Sequence, residues 1–231
     1  GNKSYALNEA LETIEDGLVI FFDDDIYVYP STLMAYANAS ANCEAKSFFG
    51  GNVEVEQEKE PPEWLKSHLP SSVLKNRTEN SFASKFFMGA NWAAFAEDIK
   101  ELGGFDYRFG PGSPANATGQ EKDMQLRMRA SRMKGVRVNK AVVKHRVSAD
   151  SVTLQWALRR TSRDAVQKGI RSKDEHLLEF IQPRVRQMAM AIGLLIKGVL
   201  LSDNGRIRFA LFRYANAFGE LKGYLVEKIQ R

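Results

Sequence analysis

The chain has 231 residues, 44% of them apolar and 26% charged, with a formal net charge of +5. These proportions exclude a collagenous, low-complexity or disordered polymer and allow a buried core without staples. The single cysteine, Cys43, excludes an internal disulfide framework and fits a reducing compartment, so the sequence reads as cytoplasmic.

The opening "GNKSYALNEALETIEDG" has no apolar h-region, so no secretory signal is expected in it. Residues 4–16 carry Leu7, Leu11 and Ile14 at helical spacing, and Gly17 reads as the helix C-cap. "LVIFF" (18–22) predicts a short strand buried on both faces, as in a parallel sheet. It runs straight into Asp23, Asp24 and Asp25. Pro30 suits the first turn of the next helix, with Leu33, Tyr36 and Ala37 as its apolar stripe.

"SFFGGNVEVE" (47–56) predicts a strand interrupted by two glycines. The polar, proline-rich stretch 57–72 predicts a long surface loop, of the kind that often binds or covers a substrate. "FMGANWAAF" (87–95) is apolar around Gly89 and Asn91, and 103–119 is a glycine- and proline-rich loop. A helix is expected over 121–134, ending at Gly135, followed by two strand-like pieces in 136–145. Residues 151–168 predict a helix ending at Gly169; two more, 177–201 and 206–229, are joined by the turn "SDNG". The chain divides on this reading into a catalytic domain, 1–174, and a C-terminal helical region, 175–231.

Three adjacent carboxylates repel one another and resist leaving water, so a cation is the expected partner. Carboxylates at a strand end suit Mg²⁺ or Mn²⁺. Strand alternation would turn Asp23 and Asp25 to one side and Asp24 to the other. "GQEKDMQLRMR" (119–129) opens a helix, with Glu121 and Asp123 in its first turn. Either they favour the helix dipole or one of them is a general base delivered at a helix start. His145 closes "AVVKH" and is a candidate imidazole ligand. From Arg127 to Arg146 there are eight cations and no acid, a polarity that fits a phosphate-rich partner or a solvated face.

In order, "FFDDDIYVYPSTL", "GANWAAFAEDIKELGGFDYRFGPG", "GQEKDMQLRMR" and "VVKHRV…LQWALRRTSRDAVQKG" resemble the family 2 glycosyltransferases. The resemblance covers about residues 1–170. It implies a GT-A-like (Rossmann-like) α/β fold, a mixed sheet with flanking helices, here followed by a helical tail. It also implies an inverting, Mn²⁺- or Mg²⁺-dependent transfer of a sugar from a nucleotide-diphosphate sugar to a saccharide or lipid-linked acceptor. Asp25, Asp23 and His145 match metal-site positions. Asp23, Asp24, Asn91, Arg159, Arg160 and Arg163 match donor-contacting ones. Glu121 matches the catalytic base, with Asp123 beside it; Gln120 stands where the family often has a second acid. The chain opens on what resembles the helix before the DxD strand, so the first part of the nucleotide-binding region, on the order of 80 residues, is expected to be missing.

The tail mixes apolar stripes with Arg184, Arg186, Lys197, Arg206, Arg208 and Arg213. It suits packing on the catalytic core, a homodimer contact, or the anionic inner face of a membrane. Other readings are a haloacid-dehalogenase-like phosphatase and a non-catalytic basic binding or scaffold domain. The phosphatase wants a later paired-aspartate motif, and no Asp-Asp follows residue 25. A nucleic-acid partner is not expected, because no recognised motif appears and the aspartates repel phosphate.

Overall fold

The computed structural model describes residues 1–43, 46–75 and 86–229. In chain order these form α1 (Lys3–Glu12), β1 (Leu18–Phe22), β2 (Ile26–Val28), α2 (Pro30–Ala41), β3 (Ser47–Gln57), α3 (Glu63–Lys66) and β4 (Asn91–Phe95). Then follow α4 (Ala96–Glu101), α5 (Gln120–Ala130), β5 (Lys134–Val147), α6 (Leu154–Arg171), α7 (Leu177–Leu200) and α8 (Asn204–Ile229). The strands make one mixed sheet in the order β1-β4-β3-β5-β2. Only β3 and β5 run parallel; β1–β4, β3–β4 and β2–β5 are antiparallel. The sheet is mixed, helices flank it and the C-terminal stretch is helical, as expected from the sequence.

The chain divides into two compact units. One, Ser4–Asp106 with Gln120–Thr153, holds the whole sheet. Period-two alternation sends Phe21, Phe48 and Trp92 to one face of it and Ile20, Phe49 and Ala93 to the other. The first face is covered by Leu11 of α1, Ile99 of α4 and Met124 and Met128 of α5. The second is covered by Tyr36 of α2. In the other unit, which contains 107–119 and Leu154–Arg231, α8 packs on both α6 and α7. Gly219 and Gly223 of α8 let its backbone approach α6 closely: a Cβ there would stand 2.2 Å from the Ser162 carbonyl oxygen and 2.1 Å from that of Val166.

Several expectations need correction. β1 is an edge strand with an antiparallel neighbour, and all five of its residues are half-buried. A continuous apolar run does not reveal strand direction or position in a sheet. α1 ends at Glu12, not at Gly17; Gly17, at φ +102°, turns the chain into β1. The two pieces expected in 136–145 are one strand, because β3 pairs with β5 on both sides of an irregularity at Gly50/Asn52. Gly169 does not end α6 but lies inside it, where a Cβ would stand 2.0 Å from the Glu220 carbonyl of α8.

Candidate metal and base site

The aspartates follow β1 directly, in the short turn that leads into β2. A turn does not alternate as a strand does, so the expected shared orientation of Asp23 and Asp25 has no basis here. What fixes Asp25 is the next element. β2 pairs with β5 so that Ile26 lies opposite His145, and the Arg146 amide donates to the Asp25 carbonyl at 3.1 Å. Two residues 120 positions apart thereby meet: His145 Nε2 stands 3.1 Å from Asp25 Oδ2. The imidazole is largely buried, while the carboxylate is half exposed.

The other ring nitrogen sets the tautomer. His145 Nδ1 donates to the Ser72 carbonyl at 2.8 Å; a carbonyl only accepts, so Nδ1 carries a proton. In the neutral ring Nε2 is then a lone pair aimed at a carboxylate. Two acceptors in contact need a cation between them or a second ring proton. An imidazole donating its far N–H to a backbone carbonyl is the usual setting of a metal-ligating histidine. The spacing fits too: cis ligands on an octahedral ion with bonds of about 2.1 Å stand about 3.0 Å apart. Among the described residues no three His, Cys, Asp or Glu side chains form a metal-sized cluster, so Asp23 does not complete a trio with this pair. A carboxylate and an imidazole are donors of the kind that Mg²⁺ or Mn²⁺ accepts.

Glu121 reaches its position through a second set of contacts. α5 is pinned by Gln125, whose amide accepts from the Phe87 N–H at 2.7 Å and donates to the Phe87 carbonyl at 3.1 Å. Glu121 lies one turn earlier on the same helix face, and Gly89 lies two residues after Phe87. Glu121 accordingly lies over Gly89, where an added Cβ would come within 3.1 Å of its carboxyl carbon. Asp123 is committed elsewhere. It is nearly buried and accepts from Arg127 Nε at 3.0 Å. The same guanidinium donates to the carbonyls of Leu102 and Gly104 at 2.7 and 2.8 Å, which fastens the GG turn to α5. Of the two acids, Glu121 is the half-exposed one.

Asn91 is not a surface group. It is fully buried at the start of β4. Its amide donates to the Asn52 and Ala141 carbonyls, both at 2.9 Å, and its oxygen accepts from the Tyr36 hydroxyl at 2.8 Å. Burial holds the Tyr36 phenol well above its ordinary range, against a smaller opposing effect of a backbone bond from Gly51. The side chain expected to touch a donor instead ties α2, β3, β4 and β5 together. Gly51 makes this possible, because a Cβ there would stand 2.3 Å from Asn91 Nδ2.

Arg159, Arg160 and Arg163 lie on α6, in the helical unit. Arg159 is exposed. Arg160 pairs with Asp164 at 3.0 Å, and Arg163 donates to the Asn116 carbonyl at 3.2 Å. Burial, and then the Arg160 charge, lower the pKa of Arg163. Asp164 also accepts from Thr118 at 2.6 Å, so this part of α6 holds the 107–119 segment of its own unit.

Two participants were invisible in the sequence. Ser72 acts through a backbone carbonyl, for which no residue type is diagnostic. Gln125 resembles any polar helix residue until its partner is known.

No protein-family model matches the sequence, and no curated protein matches it. Among solved structures, the chain is similar to the mannosyltransferase PcManGT from Pyrobaculum calidifontis, solved in complex with GDP-Man and Mn²⁺. Identity is 17% and the TM-score 0.49, over 98% of this chain and 67% of that one.

Proposed function

We propose that the chain belongs to a divalent-metal-dependent, inverting glycosyltransferase acting on a nucleotide-diphosphate sugar and a hydroxyl acceptor. The observation that carries this reading is the Asp25–His145 pair: the imidazole that donates Nδ1–H to the Ser72 carbonyl presents Nε2 to a carboxylate 3.1 Å away. Asp25 and His145 are the residues that would hold the ion. When bound, the ion supplies Lewis-acid neutralisation of the charge that builds on a departing diphosphate.

The remaining work falls to the chain itself. Glu121 takes the proton of the acceptor hydroxyl on its carboxylate. The freed oxygen forms the new bond to the anomeric carbon as the bond from that carbon to the phosphate oxygen breaks. The nucleoside diphosphate leaves with the bonding pair. Attack opposite the leaving group inverts the anomeric centre. Asp23 and the exposed Asp24 precede Asp25 in the same turn and would contact the donor beside the ion. Gln125 keeps Glu121 in register with the 87–89 segment, a positioning role.

The test is titration calorimetry of the chain with Mn²⁺, with and without a nucleoside diphosphate. Uptake of one ion, lost in Asp25→Ala and in His145→Ala, is the expected result. Absence of binding in the unaltered chain under both conditions refutes the reading. A donor panel assayed for Mn²⁺-dependent hydrolysis then identifies base and sugar.

A further inference from the structure

We infer that the α7–α8 hairpin is a docking surface for an anionic lipid membrane. The inference concerns the helical unit alone and does not rest on the transferase reading.

α7 packs on α8 through one side of its cylinder. Phe180 stacks on Tyr224 at 4.1 Å, and Gly198 comes so close to α8 that a Cβ would stand 2.9 Å from Ile207. A different side carries Val185, Ile192, Ile196 and Val199, spaced by seven, four and three residues, hence on one helix face. Each is about half exposed or more, and Leu200 and Leu201 extend the stripe into the turn at 78% and 59%. Phe209 adds a half-exposed ring at the base of α8. Contiguous apolar surface on this scale marks a contact site, not ordinary solvated surface.

Charge selects the occupant. Over 177–229 the cations are Arg184, Arg186, Lys197, Arg206, Arg208, Arg213, Lys222 and Lys228, and the acids are Glu179, Asp203, Glu220 and Glu227. Glu220 pairs with Arg184 at 2.8 Å and Glu227 with Arg108 at 2.7 Å. Asp203 is engaged locally: it accepts from the Arg206 amide at 2.9 Å and lies 3.6 Å from the Arg206 guanidinium. Arg186 and Lys197 are exposed beside the stripe. An anionic lipid surface complements both features at once, taking up the aliphatic side chains and pairing with the cations. No helix among the described residues is long and apolar enough to cross a membrane, so the hairpin lies in the interface.

The test is co-sedimentation of the whole chain with phosphatidylcholine–phosphatidylglycerol vesicles and with phosphatidylcholine alone. Binding to the mixed vesicles only, released by high salt, is expected. Arg186→Glu with Lys197→Glu is expected to weaken partitioning at least about twentyfold, from the per-cation attraction of such a surface. Ile196→Asp with Leu200→Asp, at exposed positions that leave the fold intact by circular dichroism, is expected to abolish it. No sedimentation with the mixed vesicles, or equal sedimentation with neutral ones, overturns the inference. So does a dimer in sedimentation velocity that Leu200→Asp dissociates, because a second copy would then own the stripe.

Discussion

Asn91→Ala separates a structural from a ligand-binding role for the residue that the family resemblance assigns to the donor. The change removes three hydrogen bonds of 2.8, 2.9 and 2.9 Å in a fully buried setting. Each is worth about 0.5–1.5 kcal/mol net, and the Tyr36 hydroxyl and two carbonyls lose a partner, so the loss is about 2–4 kcal/mol. For a chain of this length each kcal/mol moves the midpoint by about 2–4 °C, which predicts a fall of roughly 5–15 °C. Calorimetry measures it directly; near-ultraviolet circular dichroism follows it through Trp92, the next residue, which stacks on Phe21 at 4.5 Å. Donor affinity at a temperature where both proteins are folded should change little. An unchanged midpoint with abolished nucleotide binding would refute the reasoning and return Asn91 to the ligand.

Glu121→Gln should lower Mn²⁺-dependent transfer by about 10²–10⁴-fold in a chain that still folds, as loss of a general base does. Asp123→Asn should behave oppositely, costing about 1.5–3 kcal/mol through the Arg127 contact while sparing the chemical step; both are read by kcat beside thermal unfolding. Tyr36 predicts an alkaline effect: its folded-state pKa is raised by burial above the ordinary 10.0. The unfolded chain therefore loses that proton first. Stability from this group is full below pH 10 and declines above it, and Tyr36→Phe should flatten the decline between urea curves at about pH 9 and about pH 11. Gly223→Ala would put a Cβ 2.1 Å from the Val166 carbonyl and should cost about 1–3 kcal/mol in chemical unfolding by forcing α8 off α6.

Elements with strong local causes were legible in the sequence. Pro30 opens α2 as expected, and the α7–α8 turn falls within two residues of its predicted place. Both follow from turn chemistry and helical periodicity, which need no partner to be recognised. Long-range geometry was less legible. "LVIFF" reads the same whether its neighbours run parallel or antiparallel, and only the fold puts it at an edge. Gly169 looks like a helix terminator because glycine commonly is one, yet here its missing side chain admits the α8 backbone. Within the site, Asp25 and His145 could be nominated by residue type and strand-end position. Residue type did not separate Glu121 from Asp123, and the Arg127 contact of Asp123 is set by helix packing, which no local pattern reveals. Nor does a polar residue in an apolar stretch announce three protein partners in a buried setting, as Asn91 has.

The weight of the candidate site rests on a three-residue strand. β2 contributes Ile26, Tyr27 and Val28, and its register against β5 alone sets Asp25 beside His145. A slip of one residue would exchange the faces of all three side chains. It would also carry the Asp25 carbonyl away from the Arg146 amide that holds it. Two features resist such a slip. Tyr29, just past β2, donates to Glu54 of β3 at 2.9 Å, and the Thr32 hydroxyl in the first turn of α2 donates to the Val142 carbonyl of β5. The anchors lie on the far side of β2 from the aspartates, so the strand is held from its C-terminal end while its N-terminal end presents the carboxylate. That arrangement anchors the strand that positions Asp25 at points beyond the turn 23–25 itself.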